Sequence, residues 1–280
     1  MKKVCFCGIS GSGMSALAQI LKLSGDEVIG TDRSFDQGHD EENKNALQSL
    51  GIKILPQDGS AISEDVDCLY VSTAVEDHIP DVKAAISKGI PIKKRSDLLA
   101  EIFHRYKNSI AVGGTSGKTT TTAMIGYILD KLGQLPCMIN GGLLRNYENQ
   151  PGIPNIIFNK GDICVIEADE SDGSIEKYHP YIAVINNISL DHKPIPELQK
   201  IFGDFAARSE YGVVVNADCE ACKNIKHPHK KTVTFSLENP RADFAAYNIK
   251  AIPGGTAYSL DGRNFRLNLI GRFNVANALA

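Results

Sequence analysis

The chain has 280 residues, room for about two domains, each with its own core. Hydrophobic residues make up 42% and charged residues 22%, and the net charge is −3, so composition fits a soluble globular protein and gives no electrostatic case for nucleic acid or an anionic membrane. No apolar run approaches ~18 residues, Met1-Lys2-Lys3 leads straight into a short strand pattern rather than a signal sequence, and the seven cysteines are scattered. That usage suits a reducing cytoplasm better than a disulfide framework.

Strand-like and helix-like runs alternate from the first residue, the grammar of a parallel α/β sheet. A strand over 4–7 meets the turn Gly8-Ile9-Ser10-Gly11-Ser12-Gly13, and a helix over 12–24 stops at Gly25. Asp32 closes a second strand, 28–31. There the backbone can approach a diphosphate, and Asp32 can accept from a ribose or sugar hydroxyl. The spacing is G-x-x-G-x-G rather than G-x-G-x-x-G, which leaves a structural tight turn and a nicotinamide site as rivals. A helix over 43–50, strands at 52–55 and 68–72, a helix over 81–87 and a strand at 90–93 follow. Ser96 is expected to cap a helix over 97–106. Lys93-Lys94-Arg95 reads as a solvated charge run, with Arg95 able to meet a phosphate. A fresh strand at Ser109 places the domain boundary near Lys107.

That strand feeds Gly113-Gly114-Thr115-Ser116-Gly117-Lys118-Thr119-Thr120, and an amphipathic run continues to Leu132. Strand, glycine loop and helix in that order present backbone N–H groups to a polyphosphate; Lys118 can reach its β- and γ-phosphates and the Thr119 hydroxyl can hold Mg²⁺. Val112 stands where the usual motif has its first glycine, so the loop is a shorter variant. It predicts an ATP site and opposes the nicotinamide reading. Lys118 is expected to face phosphate rather than contribute to the core.

Strands are predicted at 137–140, 163–167, 182–186 and 213–216, with a helix over 197–207 and loop-like sequence over 145–160. Glu167-Ala168-Asp169-Glu170-Ser171-Asp172 lies beyond a buried strand, where open sheets place ligands, and Glu167 is best placed to share Mg²⁺ with Thr119. Asn186-Asn187-Ile188-Ser189-Leu190-Asp191-His192 ends the next strand; His192 suits a second metal or a phosphate, or is a surface histidine. Cys219-x-x-Cys222 with His227 and His229 resembles a zinc set, but His-x-His is tighter than usual and both cysteines fall on a predicted helix, so zinc is not expected. Short alternating runs at 232–236, 244–251 and 265–269 suggest an antiparallel appendage. Gly271-Arg272-Phe273-Asn274-Val275-Ala276-Asn277 opens a helix that stops early, and the expectation is a fragment.

Together these residues resemble the Mur ligases, ATP-dependent enzymes that add amino acids to UDP-N-acetylmuramate in peptidoglycan assembly. The motifs at 114–122, 167–172, 186–192 and 271–277 occur in the family's order. Within the family, Gly8-Ile9-Ser10-Gly11-Ser12-Gly13-Met14, Asn140-Gly141-Gly142-Leu143 and the acidic motif look most like the branch that adds L-alanine. The branch that returns a recycled tripeptide is the near rival.

The resemblance implies an N-terminal Rossmann-like parallel-sheet domain, 1–107, and a central P-loop ATPase-like α/β domain, 108–280, without the family's third domain. It implies a UDP-sugar site at Gly11, Ser12, Gly13, Asp32, Ser72 and Thr73. ATP would lie on Gly114, Thr115, Ser116, Gly117, Lys118, Thr119 and Thr120, with Asn274 and Asn277 near adenine. Thr119, Glu167 and His192 would be metal ligands, and Lys118, Glu167 and His192 catalytic. The implied chemistry passes through an acyl phosphate, with an amino acid or peptide as second substrate, no nucleic acid, no membrane insertion and a cytoplasmic location. Ser116 and Phe273 stand where the alanine-adding branch usually has histidines, and Gln199 stands where several members have a modified lysine. A nucleotide-binding regulatory protein without ligase activity is the rival of another class.

Overall fold

A computed structural model describes residues 1–72, 78–190, 193–225 and 231–280. The chain forms two compact units, Met1–Ile102 with Ile139–Asn159, and Phe103–Met138 with Lys160–Ala280.

In chain order the first unit begins with β1 (Lys3–Cys7), α1 (Ser12–Leu23), β2 (Glu27–Thr31), α2 (Arg33–Asp36) and α3 (Glu41–Ser49). It continues with β3 (Lys53–Leu55), β4 (Cys68–Val71), α4 (Pro80–Ser87), β5 (Ile92–Lys94) and α5 (Arg95–Phe103). The strands pair in parallel in the order β3-β2-β1-β4-β5. β1 is flanked on both sides, which is why its run Val4-Cys5-Phe6-Cys7 is apolar without alternation and wholly buried. The chain leaves β1 for β2 on one side and reaches β4 on the other, so a crevice opens beyond the carboxyl end of β1. Gly30 in β2 allows Ile9 to pack directly on the sheet, since any Cβ there would overlap the Ile9 side chain.

The second unit carries β6 (Asn108–Gly113), α6 (Lys118–Lys131) and β7 (Cys137–Ile139). The segment over 139–159 returns to the first unit and includes β8 (Ile156–Phe158). There Gln19 and Asn155, both buried, use both ends of their amides: Gln19 Nε2 donates to Asn155 Oδ1 at 2.9 Å and its Oε1 accepts the Ile153 N–H at 2.8 Å. Asn155 Nδ2 in turn donates to the Ser12 carbonyl at 2.9 Å. Such satisfied polar pairs fix one arrangement where an apolar contact would tolerate several.

The second unit resumes with β9 (Ile163–Glu167), β10 (Ile182–Ile185), α7 (Ile195–Ala207), β11 (Gly212–Asn216), α8 (Glu220–Lys223), β12 (Thr232–Ser236) and β13 (Phe244–Ala245). β14 (Tyr247–Ile252), β15 (Gly255–Leu260), β16 (Arg263–Leu267) and α9 (Arg272–Leu279) complete it. Its strands run β13-β12-β11-β10-β6-β9-β7 within an eight-stranded sheet, and those from β13 to β9 are parallel. β14, β15 and β16 form a separate antiparallel sheet on which Tyr258 and Phe265 stack at 5.3 Å. Phe235, Tyr258, Val275 and Leu279 bury together and hold α9 against β12 and β15.

Several expectations are corrected. Neither the run at 232–236 nor the start of that at 244–251 is part of the appendage; β12 continues the parallel sheet beside β11, with Val213 opposite Thr232, and β13 pairs in parallel with β12. Alternation marks a half-buried strand but carries no information on the direction of its partner. Ser96 is not a cap, because α5 already starts at Arg95 and the Asp97 carboxylate accepts the Lys94 N–H at 3.2 Å. The loop-like stretch over 145–160 contains a short 3₁₀ turn, Arg145–Tyr147, as well as β8.

Candidate functional site

β6 lies between β10 and β9, so its carboxyl end opens where three buried strands finish together. The loop that follows can be built only from glycine at two points. Gly114 has φ +138 and a Cβ would sit 3.1 Å from Asn187 O; Gly117 has φ +80 and a Cβ would meet Asn277 Oδ1 at 2.5 Å. Gly117 is also the N-cap of α6, with no side-chain cap and no acidic residue in the first turn. Among the described residues, the first N–H groups of a 14-residue helix are thus left without side-chain partners, the ordinary condition for binding an anion.

Three carboxylates converge on this loop. The β6–β9 register sets Val112 opposite Glu167, and from there Glu167 Oε2 accepts the Thr119 hydroxyl at 2.8 Å. Lys118 Nζ donates to Gly114 O at 2.8 Å and to Glu170 Oε2 at 2.9 Å, with Asp169 Oδ1 at 4.0 Å. The side chains of Lys118 and Glu170 are 17% and 5% exposed, so the ion pair is screened weakly by solvent. Lys118, expected to face phosphate, thus also neutralises a buried carboxylate.

Beyond β10 the two asparagines divide the work. Asn187 Oδ1 accepts from the Thr115 hydroxyl at 2.8 Å and from the Ser116 N–H at 3.0 Å, while its Nδ2 donates to Ser116 O at 2.9 Å. Its carbonyl accepts the Thr115 N–H at 3.1 Å, and the Ser189 N–H donates to Thr115 Oγ1 at 3.0 Å. The glycine loop is therefore gripped by the 187–189 segment. Asn186 Nδ2 donates to Thr121 Oγ1 at 2.8 Å, and its carbonyl accepts from Asn216 Nδ2 at 2.9 Å. Beside them lies a cavity of about 390 Å³ whose lining includes Thr120, Asn216, Phe235, Phe273 and Asn277. Phe273 is 67% exposed there, an aromatic face open to a stacking partner. Asn274 is the neighbour of Asn277 on α9, whose Nδ2 donates to Asn274 Oδ1 at 3.3 Å.

These features fit a nucleoside polyphosphate. The Cβ-excluding cradle and uncapped helix suit phosphates, and the aromatic-lined cavity suits a purine. Asn186 Oδ1 is buried with no hydrogen-bond partner among the described residues. Thr119 and Glu167 offer hard oxygens of the kind Mg²⁺ takes alongside phosphate. Among the described residues no group of three or more His, Cys, Asp and Glu gathers as a metal site. His192 lies outside the described residues, as do His227 and His229.

In the first unit a cavity of about 320 Å³ is lined in part by Ser10, Gly11, Asp32, Arg33, Gln57 and Ser72. Gly11 is the uncapped N-cap of α1, and Ser12 is its first residue. A Cβ on Gly13 would lie 3.0 Å from Arg95 Cδ, so the glycine lets the arginine side chain lie over the start of α1. Asp32 already accepts from backbone: Oδ2 takes the Ser10 N–H at 2.8 Å and Oδ1 the Ser34 N–H at 2.9 Å, tying the glycine turn to α2. A ligand hydroxyl would meet its remaining lone pairs. Thr73 lies outside the described residues.

Glu170, Asn186, Asn187 and Asn216 were not singled out as site residues from sequence. The signal that found Glu167, a polar residue just past a buried strand, applies equally to Asn186, Asn187 and Asn216; Glu170 shares the acidic motif.

Residues 112–280 match the Mur ligase middle domain, and residues 3–107 match the catalytic domain of the Mur ligase family. The UDP-N-acetylmuramate–L-alanine ligase of Sulfurihydrogenibium sp. (strain YO3AOP1) is 34% identical over 288 residues, covering 100% of this chain and 61% of that protein. The enzyme of the same name from Thermosynechococcus vestitus is 37% identical over 290 residues, covering 98% and 58%. The chain spans about three fifths of the length of these curated relatives. The crystal structure of the UDP-N-acetylmuramate–alanine ligase of Thermotoga maritima superposes with a TM-score of 0.84 at 27% identity, covering 100% of this chain and 63% of that one. The UDP-N-acetylmuramate:L-alanyl-γ-D-glutamyl-meso-diaminopimelate ligase of Neisseria meningitides gives 0.80 at 26%, covering 100% and 91%.

Proposed function

The chain belongs to the Mur ligase family, and from that premise we propose that it serves the ATP-dependent joining of an amino acid, L-alanine, to the lactyl carboxylate of UDP-N-acetylmuramate in peptidoglycan assembly. The observation that carries this reading is the meeting of Lys118, Thr119 and Glu167 around one glycine loop, the set that phosphoryl transfer needs. The names of the relatives supply the substrates.

In the proposed reaction a carboxylate oxygen of the sugar attacks the γ-phosphorus of ATP, the bond to the β–γ bridging oxygen breaks, and ADP leaves. The amine then attacks the acyl carbon, and phosphate departs as the amide forms. The N–H groups of the loop and of the α6 N-terminus would hold the phosphates, and Lys118 would offset charge on the transferred group. Thr119 and Glu167 would hold Mg²⁺, which when bound supplies further charge neutralisation. His192 would be a second ligand, and Asn274 and Asn277 would border the adenine. Asn187 keeps the loop in register. Gly11, Ser12, Gly13, Asp32, Ser72 and Thr73 would receive the UDP-sugar.

The likeness to the Neisseria enzyme favours one second reading, in which the amine is a tripeptide. Titration calorimetry with UDP-N-acetylmuramate and with Mg–ATP tests the binding half. UDP-N-acetylglucosamine, which lacks the lactyl carboxylate, is the control. Phosphate release with L-alanine or with the tripeptide then decides the amine. Release driven by L-alanine supports the proposal, release driven by the tripeptide alone moves it to the second reading, and failure of the chain to bind either nucleotide overturns both.

A further inference from the structure

Cys219 and Cys222 take no part in the chemistry above, yet they sit against the segment that grips the phosphate loop. Cys219 is half-buried before α8, and Cys222 is 3% exposed within it. The Cys222 N–H donates to the Cys219 carbonyl at 3.0 Å and to its sulfur at 3.3 Å, so the two residues close a single turn. A disulfide spans Cα separations of about 4.4–6.8 Å, within the reach of such a turn. The Cys219 sulfur also accepts the Ile188 N–H at 3.3 Å and lies 3.7 Å from Ile188 O. Ile188 stands between Asn187 and Ser189, both of which hold Thr115.

The two thiols are unlike. Hydrogen bonding with the Cys222 thiol, helped by the N–H groups of Ile188, Cys222 and Ala221 and opposed by burial, brings Cys219 down to about 6. The same hydrogen bond, with burial, pushes Cys222 up. Cys219 is thus the attacking thiolate and Cys222 the resolving thiol. The other five cysteines, Cys5, Cys7, Cys68, Cys137 and Cys164, are buried.

We propose that Cys219 and Cys222 form a reversible thiol–disulfide pair, oxidised by a small-molecule disulfide, whose closure releases the Ile188 amide and loosens the 187–189 grip on the phosphate loop. The Cys219 thiolate attacks one sulfur of the oxidant, forming a mixed disulfide and expelling one small thiolate. Cys222 gives its proton to solvent and attacks the Cys219 sulfur, expelling the second small thiolate. The protein loses two electrons and two protons, and the oxidant becomes two thiols. A disulfide sulfur carries no charge and accepts the Ile188 N–H weakly, so the residue between Asn187 and Ser189 loses its anchor and their hold on Thr115 slackens.

The test needs no nucleotide and stands apart from the proposed ligase role. The 280-residue chain is equilibrated with glutathione and glutathione disulfide, alkylated under denaturing conditions and digested. The peptide bearing both cysteines should lose two hydrogens while the other five thiols remain alkylatable. Amide exchange at Ile188, Thr115 and Ser116 should quicken by roughly tenfold or more and recover with dithiothreitol. Cys222→Ser should stop at a glutathione adduct on Cys219. Free thiols throughout, a disulfide with unchanged exchange at these amides, or an adduct elsewhere overturns the proposal.

Discussion

Lys118 answers to two partners, and its substitution should show both. Removing it strands Glu170, whose side chain is 5% exposed, and leaving one member of a buried pair alone costs about 3 kcal/mol. Lys118→Ala should therefore lower unfolding stability without nucleotide, and Glu170→Gln added to it should restore most of the loss. Urea denaturation of the four proteins gives the coupling; independent effects would contradict the pair. Glu167→Gln keeps an acceptor for the Thr119 hydroxyl and removes the charge. It should weaken ATP binding roughly tenfold with Mg²⁺ present and little in EDTA, since the lost attraction is to the cation. Equal loss in both conditions would remove Glu167 from the metal site. Cys219, held down to about 6, should label with iodoacetamide at a rate that rises with a midpoint near that value, because deprotonation makes the nucleophile; a midpoint near the ordinary thiol value contradicts the hydrogen-bonded thiolate. Lys118, Thr119 and Glu167 were legible in sequence because a glycine loop and a strand end announce themselves locally. Asn187 carries the same strand-end signal, but its grip on Ser116 was not legible, because it depends on a register that joins residues 71 apart in sequence.

At the scale of the element, α6 offers a comparison between its two ends. Gly117 and Gly133 share positive φ, +80 and +70, but only Gly117 has a neighbour that a Cβ would strike. Gly133→Ala should cost about 1–2 kcal/mol of backbone strain and leave nucleotide affinity alone. Gly117→Ala carries the same strain plus the collision with Asn277 and should reduce ATP affinity by roughly tenfold or more. Thermal melts and ATP titrations of both variants separate the effects; equal affinity in the two would contradict the cradle. The elements themselves were largely legible, since buried parallel strands such as 163–167 and glycine-stopped helices leave clear patterns. β12 was misassigned because Thr232-Val233-Thr234-Phe235-Ser236 alternates like an appendage strand, and only its pairing with β11 reveals the parallel sheet. β8, Ile156–Phe158, is hidden because Pro151, Gly152 and Pro154 just before it make the stretch read as loop.

At the scale of the molecule, each unit places a cavity beyond the carboxyl ends of parallel strands, β1 in one and β6 in the other. Alternation of strands and helices made that architecture readable, as did the two glycine turns. The return of 139–159 to the first unit was not readable, because it rests on Gln19 and Asn155 meeting across 136 residues. The central claim, that the loop over 114–119 with Glu167 is a Mg–ATP site, is most directly met by calorimetric titration of Mg–ATP into the wild-type chain and Lys118→Ala at matched folded concentration. The account predicts saturable one-site binding by the wild type and none measurable for the variant, whereas undiminished binding by Lys118→Ala would contradict it.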